Sequence, residues 1–346
     1  YHSSDGGTPD RGINLTGTGT VSLSGINTYT GSTTITSGTL ALSGSGSISS
    51  SSGVAATGTF DISGTTSGAS IVTLSGAGGV NIAGKTLTIT NASTTYSGNM
   101  TGASGSLTLS GGSLTLSGGN SYTGTTTVTG GTLTLGASNV LADTSALTIN
   151  GGTLAVGGNS DTVGAVTIGS SGGSITGSGG TLTGSGYTFN NSGSNSASVS
   201  AILGGSGDLT KSGSGSATLS AANTFSGVVT VNAGTLVVSN AASLGDTSSG
   251  TTINGGTLDV LANIGAESIT LNGGALTSTT GTVSISGAVT LSADAAITVA
   301  SSMTISGGIS GAGRLTKAGV GSLTLSASNS YTGGTTISAG TLIASG

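Results

Sequence analysis

Residues 114–133 read LTLSGGNSYTGTTTVTGGTL. Two stretches of this string alternate with a period of two. Leu114 and Leu116 point one way, and Thr115 and Ser117 the other. Further on, Val128, Leu133 and Leu135 share a face, opposed by Thr127, Thr129 and Thr134. Alternation over four to six residues predicts half-buried strands rather than a helix. Thr and Val suit such strands because branched side chains pack well on a pleat. The strands are separated by Gly, Ser and Asn, residues that accept the positive φ of tight turns.

The same twenty-residue string occurs, without gaps, in three other places. Residues 21–40 read VSLSGINTYTGSTTITSGTL, 217–236 read ATLSAANTFSGVVTVNAGTL, and 323–342 read LTLSASNSYTGGTTISAGTL. Each copy carries an Asn (Asn27, Asn120, Asn223, Asn329), then an aromatic (Tyr29, Tyr122, Phe225, Tyr331), then a Gly (Gly31, Gly124, Gly227, Gly333). A weaker fifth copy is expected around Tyr96 and Gly98. Successive Asn residues are 93, 103 and 106 positions apart. Lesser motifs keep the same beat: TINGGTL at Thr148–Leu154 and Thr252–Leu258, GDLTK at Gly207–Lys211, GRLTK at Gly313–Lys317. The chain therefore divides into an N-terminal arm, 1–12, and one continuous array, 13–346. Its modules of about a hundred residues run approximately 13–110, 111–205, 206–310 and an incomplete 311–346.

Composition says what kind of array this is. Gly (69), Ser (63) and Thr (62) make up more than half of 346 residues, while aromatics are 3% and charged residues 4%. So few bulky side chains cannot fill a large globular core, and Gly and Ser disfavour helices. Disorder built on high charge and low hydrophobicity does not fit, because the charge is low and mean hydropathy is +0.32. A solenoid resolves the conflict. Its coils stack, so a narrow aliphatic column is core enough. The expected fold is all-β, a parallel β-helix forming a single elongated rod. Rungs of roughly 20–25 residues give about fifteen coils and a rod of roughly 70 Å at the inter-strand spacing.

The string L-T-L-S-G-x-N-[ST]-[YF]-[TS]-G-x-[TV]-T-[IV]-x-x-G-T-L resembles the autotransporter-associated β-strand repeat of bacterial surface proteins. The segments Gly207–Gly215 and Gly313–Gly321, of form G-x-L-T-K-x-G-x-G, are similar to it as well. The resemblance implies a right-handed parallel β-helix, secretion across a Gram-negative envelope and an extracellular or cell-surface site. It implies no particular activity, since such passengers range from adhesins to inert stalks. No membrane barrel follows, and the string ends on Ala344-Ser345-Gly346. The expectation is a cleaved translocator or a longer array.

Several functions are disfavoured. Lys85, Lys211, Lys317, Arg11 and Arg314 are scattered in a chain of net charge −5, too few to neutralise phosphates, so no nucleic-acid partner is expected. No apolar run is long enough to cross a bilayer as a helix. Without Cys there is no disulfide or thiolate metal site. No cofactor motif is present. Gly169–Gly173, GSSGG, fits G-x-S-x-G at Ser171, but no helix pattern follows it and the sole His is His2.

The acids are Asp5, Asp10, Asp61, Asp143, Asp161, Asp208, Asp246, Asp259, Asp294 and Glu267. None lies within three residues of another, so a carboxylate pair forms only if stacked coils bring two together. Asp143 (LADT) and Asp246 (LGDT) sit in matching contexts, where an Asp turn is expected. The fixed aromatic slot reads as a plug packing on the next rung, against the alternative of sugar stacking. The neighbouring Asn reads as a turn residue or a member of a hydrogen-bonded ladder. Alternating Thr, as in Thr86, Thr88 and Thr90 or Thr123, Thr125, Thr127 and Thr129, raises the alternative of an ice- or glycan-binding face, although no Thr grid aligned over many rungs is evident. The favoured reading is a non-catalytic extracellular stalk, adhesin passenger or fibre subunit, with a polysaccharide-cleaving enzyme the remoter alternative. Open strand edges invite stacking end to end, or continuation of the array.

Overall fold

The computed structural model describes residues 11–345. The N-terminal arm expected over 1–12 therefore lies almost wholly outside the described residues. The described chain is all-β, without a helix, and its parallel strands stack into a β-solenoid of about 17 turns. It divides into two units, Tyr1–Gly164 and Ala165–Gly346.

In the first unit, one ladder holds Ala69–Ile71, Thr86–Ile89, Ser106–Leu109, Thr126–Val128 and Leu147–Ile149. A second holds Ala92–Tyr96, Gly112–Leu116, Thr132–Leu135 and Thr153–Gly157. Earlier coils form two more, running from Ile13–Leu15 and from Thr20–Leu23. In the second unit, one ladder runs from Thr181–Phe189 through Leu209–Lys211, Val229–Val231, Thr251–Ile253, Ile269–Leu271 and Val289–Leu291 to Ile309–Gly311. Beside it another runs from Gly173–Gly177 to Thr335–Ile337, and a short one from Thr282–Ile285 to Thr341–Ala344.

Register explains why so thin a core suffices. Leu114 stacks on Leu133, which stacks on Leu154, and all three are fully buried. Leu40, Phe60, Val80 and Met100 form a like column. Each such side chain withdraws about 1.5–3 kcal/mol of apolar surface from water. Because the side-chain period is two, the intervening Thr and Ser are held outside. Strands three or four residues long are enough, since every coil is paired above and below. Register steps range from 18 residues (Leu258 to Leu276) to 24 (Ile175 to Val199). Corners made from a few Gly and Ser keep many coils shorter than the sequence expectation, so turns outnumber the fifteen foreseen.

The outward positions correct one expectation. Thr188, Thr210, Thr230, Thr252, Thr270 and Thr290 pair in register from coil to coil, ending on Ser310. In the first unit Ser70, Thr88, Thr108, Thr127 and Thr148 do the same. An aligned Thr column exists in each unit. It was illegible in sequence because rung lengths vary, so equal phase on the coil does not mean equal spacing along the chain.

Candidate functional site

The repeat corner is where the conserved pattern of the four copies acquires meaning. In the two central copies its Asn joins three coils, and in the outer two it joins two. Asn120 Oδ1 accepts the Met100 N–H at 2.8 Å from the coil before, while Nδ2 donates to Gly118 O at 3.0 Å and Val140 O at 2.9 Å, the latter on the coil after. Asn223 accepts from Leu203 N–H at 2.9 Å and donates to Ser243 O at 2.6 Å. Asn329 accepts from Ile309 N–H at 2.9 Å and donates to Ala327 O at 2.6 Å, and Asn27 donates to Gly25 O and Ser47 O. Asn120 and Asn223 are buried. A side chain with both an acceptor and a two-proton donor is required for this, which Asp and Ser are not.

The aromatic fills the interior beside it. Tyr122 and Phe225 are fully buried, whereas Tyr29 and Tyr331 are half-buried. The Tyr hydroxyls meet the Thr four residues on: Tyr29–Thr33 at 2.7 Å, Tyr122–Thr126 at 2.6 Å, Tyr331–Thr335 at 2.6 Å. Ser51 and Ser145, one coil later, extend the chain to the repeat glycines, donating to Gly31 O at 2.9 Å and to Gly124 O. Burial raises the Tyr122 hydroxyl well above the ordinary tyrosine range. Phe225 packs instead on Tyr187, ring centroids 6.0 Å apart.

The Gly of the motif is a contact requirement. A Cβ on Gly124 would lie 2.4 Å from Gly105 O, one on Gly227 2.3 Å from Gly207 O, and one on Gly333 2.4 Å from the Gly313 backbone. The glycine of the closing GTL is constrained twice. Gly131 has φ of 71° and its Cβ would fall 2.1 Å from Gly112 O.

Tyr96 does not occupy the aromatic slot. It ends the strand Ala92–Tyr96 and stacks on Leu116, with its hydroxyl donating to Gly78 O at 2.7 Å. The expected fifth copy there is therefore corrected: the aromatic and glycine are present, but on a different part of the coil.

The sequence reading missed a pair of interior cations. Lys211 and Lys317 are fully buried, in columns otherwise filled by Phe189 and Val231 or by Ile297 and Ile337. Lys317 Nζ donates to Ala318 O and Gly319 O at 2.8 Å each and to Ala339 O at 3.1 Å. Lys211 Nζ reaches Gly213 O and Ala233 O. Each ammonium thus caps the carbonyls of a corner. Burial pushes Lys211 down to about 8 and lowers Lys317 as well. The signal was available: in LTK the Lys has the phase of the inward Leu, not of the outward Thr.

The remaining acids mostly tie backbone. Asp208 accepts from Val228 N–H at 2.9 Å and Asp294 from Arg314 N–H at 2.8 Å, each one coil on. Asp246 accepts from Ser248 N–H at 3.0 Å, the turn expected of it. Ser171 lies in a turn with no helix after it, and His2 is outside the described residues. Among the described residues no group of three or more His, Cys, Asp or Glu is gathered to hold a metal. No helix among them is long and apolar enough to cross a membrane.

The passenger-associated-transport-repeat family matches residues 14–42, 110–135, 209–238, 244–260 and 315–344. The curated adhesin BmaC autotransporter of Brucella suis biovar 1 (strain 1330) is 43% identical over 83 residues, which is 24% of this chain and 2% of that protein. The match thus spans a small fraction of the relative's length. No solved structure matches the chain. Four of the five matched segments contain the Asn–aromatic–Gly corners whose geometry is given above, so the similarity to the passenger-associated-transport repeat falls on the residues that join the coils.

Proposed function

We propose that this chain is a non-catalytic segment of a surface-displayed or secreted passenger, serving as a stalk or adhesin scaffold. The observation that carries the reading is how the repeat residues are used. Asn120, Asn223, Tyr122, Phe225, Lys211 and Lys317 are buried and bond or pack between coils, leaving a surface of hydroxyls with little charge. Such a solenoid can grow by adding coils without adding a core of new design. The test is display of the chain as a passenger on Gram-negative cells, read by antibody labelling and protease shaving of intact cells, with turnover assays on polysaccharides alongside. Surface labelling without turnover is expected. Chain retained inside the cell, or depolymerised substrate, would overturn the reading.

The register of the outer Thr columns favours a second reading, a binding face for an ordered ligand. Seven hydroxyls from Thr188 to Ser310 repeat at roughly 4.8 Å along the stack. Beside them Asn254 donates to Asn232 at 2.8 Å and Asn272 to Asn254 at 3.1 Å. A rank of this kind suits ice or an extended glycan. Thermal hysteresis and a glycan-array screen separate the two, and silence in both removes this reading while leaving the scaffold intact.

A further inference from the structure

A short ladder of side-chain amides runs along the outside of the second unit. Asn232, Asn254 and Asn272 each follow the last inward residue of a strand, Val231, Ile253 and Leu271, and those three pair in register from coil to coil. Asn254 Nδ2 donates to Asn232 Oδ1 at 2.8 Å, and Asn272 Nδ2 donates to Asn254 Oδ1 at 3.1 Å. Asn254 is thus held by two ladder bonds and Asn272 by one. All three residues are exposed.

The residue after each Asn differs. Asn254 precedes Gly255 and Asn272 precedes Gly273, both exposed, whereas Asn232 precedes Ala233. Asn is among the thermolabile side chains, because the backbone nitrogen of the next residue can attack its Cγ. A glycine there leaves the nitrogen unshielded and its backbone free to swing, where a Cβ would hinder both. Both glycines lie in bends just past their strands. Among the described residues neither donates its N–H to a hydrogen bond, while the Ala233 N–H donates to Lys211 O at 3.4 Å. A third Asn–Gly pair, Asn150–Gly151, lies outside the ladder, and its Asn is half-buried.

We propose that Asn254–Gly255 and Asn272–Gly273 are sites of spontaneous deamidation that convert in order from the free end of the ladder, Asn272 first. The Gly nitrogen bonds to Cγ and releases its proton to solvent. The Cγ–Nδ2 bond breaks, and Nδ2 takes up a proton and leaves as ammonia. Water then opens the cyclic imide at one of its two carbonyls, leaving Asp or isoaspartate; no oxidant or cofactor takes part. Asn272 converts first because turning its Cγ toward Gly273 gives up one amide bond, where Asn254 must give up two. Once Asn272 no longer donates, Asn254 is held by a single bond and follows. The series stops at Asn232, whose neighbour carries a Cβ. Each step puts a negative charge two residues from Thr270 or Thr252, so the face beside the Thr column turns acidic with age while its hydroxyls persist.

The test is prolonged incubation of the intact folded chain at mildly alkaline pH, with peptide mapping by mass spectrometry that separates Asn, Asp and isoaspartate at each position. Asn272 should convert first and Asn254 after a lag, both about tenfold or more faster than Asn232. Asn150 should trail both ladder sites. In urea, where the ladder is gone, the lag between Asn272 and Asn254 should vanish. Asn272→Ala should abolish the lag in the folded chain. Gly255→Ala should protect Asn254 and leave Asn272 unchanged; its new Cβ meets only Asn232 O, at 3.1 Å, and its φ is not positive. Conversion of Asn254 and Asn272 no faster than that of Asn232 would overturn the proposal. So would Asn254 converting ahead of Asn272, or a lag that survives in Asn272→Ala.

Discussion

The hydroxyl of Tyr122 lies 2.6 Å from that of Thr126, and both side chains are buried. The same pairing joins Tyr29 to Thr33 and Tyr331 to Thr335. In the copy where the aromatic is Phe225, the fourth residue on is Val229, equally buried. The hydroxyls thus come and go together. A buried Tyr oxygen needs a partner, and a Phe ring makes a Thr hydroxyl there superfluous.

Thr126→Val alone should destabilise the chain by about 1–3 kcal/mol, because it strands the Tyr122 hydroxyl in an interior without water. Tyr122→Phe alone should cost about 1 kcal/mol or less, since Thr126 retains Ser145 nearby. The double variant should return most of the Thr126→Val loss. Chemical denaturation followed by circular dichroism gives the cycle. Strict additivity of the two changes would show that the pair is not coupled.

Asn120→Ala should be among the more damaging single substitutions at a polar position, at about 2–4 kcal/mol. It leaves the Met100 N–H without its acceptor and takes a donor from Val140 O. Asn120→Asp keeps the acceptor and loses the donor, so it should not rescue. A melting temperature for Asn120→Asp equal to the unaltered chain would contradict the three-coil staple.

Gly131→Ala should destabilise strongly, by about 2–4 kcal/mol, since the new methyl meets Gly112 O at 2.1 Å in a left-handed conformation. Gly17→Ala is the control. Its Cβ would have no atom within 4 Å, and its φ is not positive, so a change within about 0.5 kcal/mol is expected. Equal effects at the two positions would refute the close-approach argument.

Lys211 gives a pH signature of unusual sign. Its folded value is lowered to about 8 from 10.5. Below the lower value both states carry the proton, and the penalty for burying the charge is constant. Between the two values the unfolded chain binds more protons, so stability rises with pH. Lys317, also lowered by burial, acts in the same direction. Urea midpoints should therefore climb from about pH 7.5 to 9.5, below the titration of unfolded tyrosine. The climb should shrink in Lys211→Met and vanish in Lys211→Met/Lys317→Met. A flat profile in the unaltered chain would show that the carbonyl cages stabilise the ammonium fully.

The strands themselves were legible because alternation is local. Leu114, Leu116, Val128 and Leu133 declared their inward phase through their neighbours alone, and each is fully buried. The turns were equally plain from Gly and Asn. The Asn and aromatic slots were visible as recurring positions, yet their partners were not. Met100 and Val140 lie a coil away from Asn120, and nothing local says which backbone groups a corner will face. The misplaced fifth copy has the same origin: Tyr96 has the right neighbours in sequence but the wrong position on its coil.

What the sequence alone determined is the phase of each side chain, inward or outward, and the recurrence of one corner; a two-residue period and turn chemistry need no knowledge of distant residues. Which residues touch was decided by the register of stacking. Rungs of 18 to 24 residues cannot be aligned by counting, and backbone hydrogen bonding between coils fixes them one against the next. Only then do outward threonines become a column, and do Lys211 and Lys317 find carbonyls on the coil after their own.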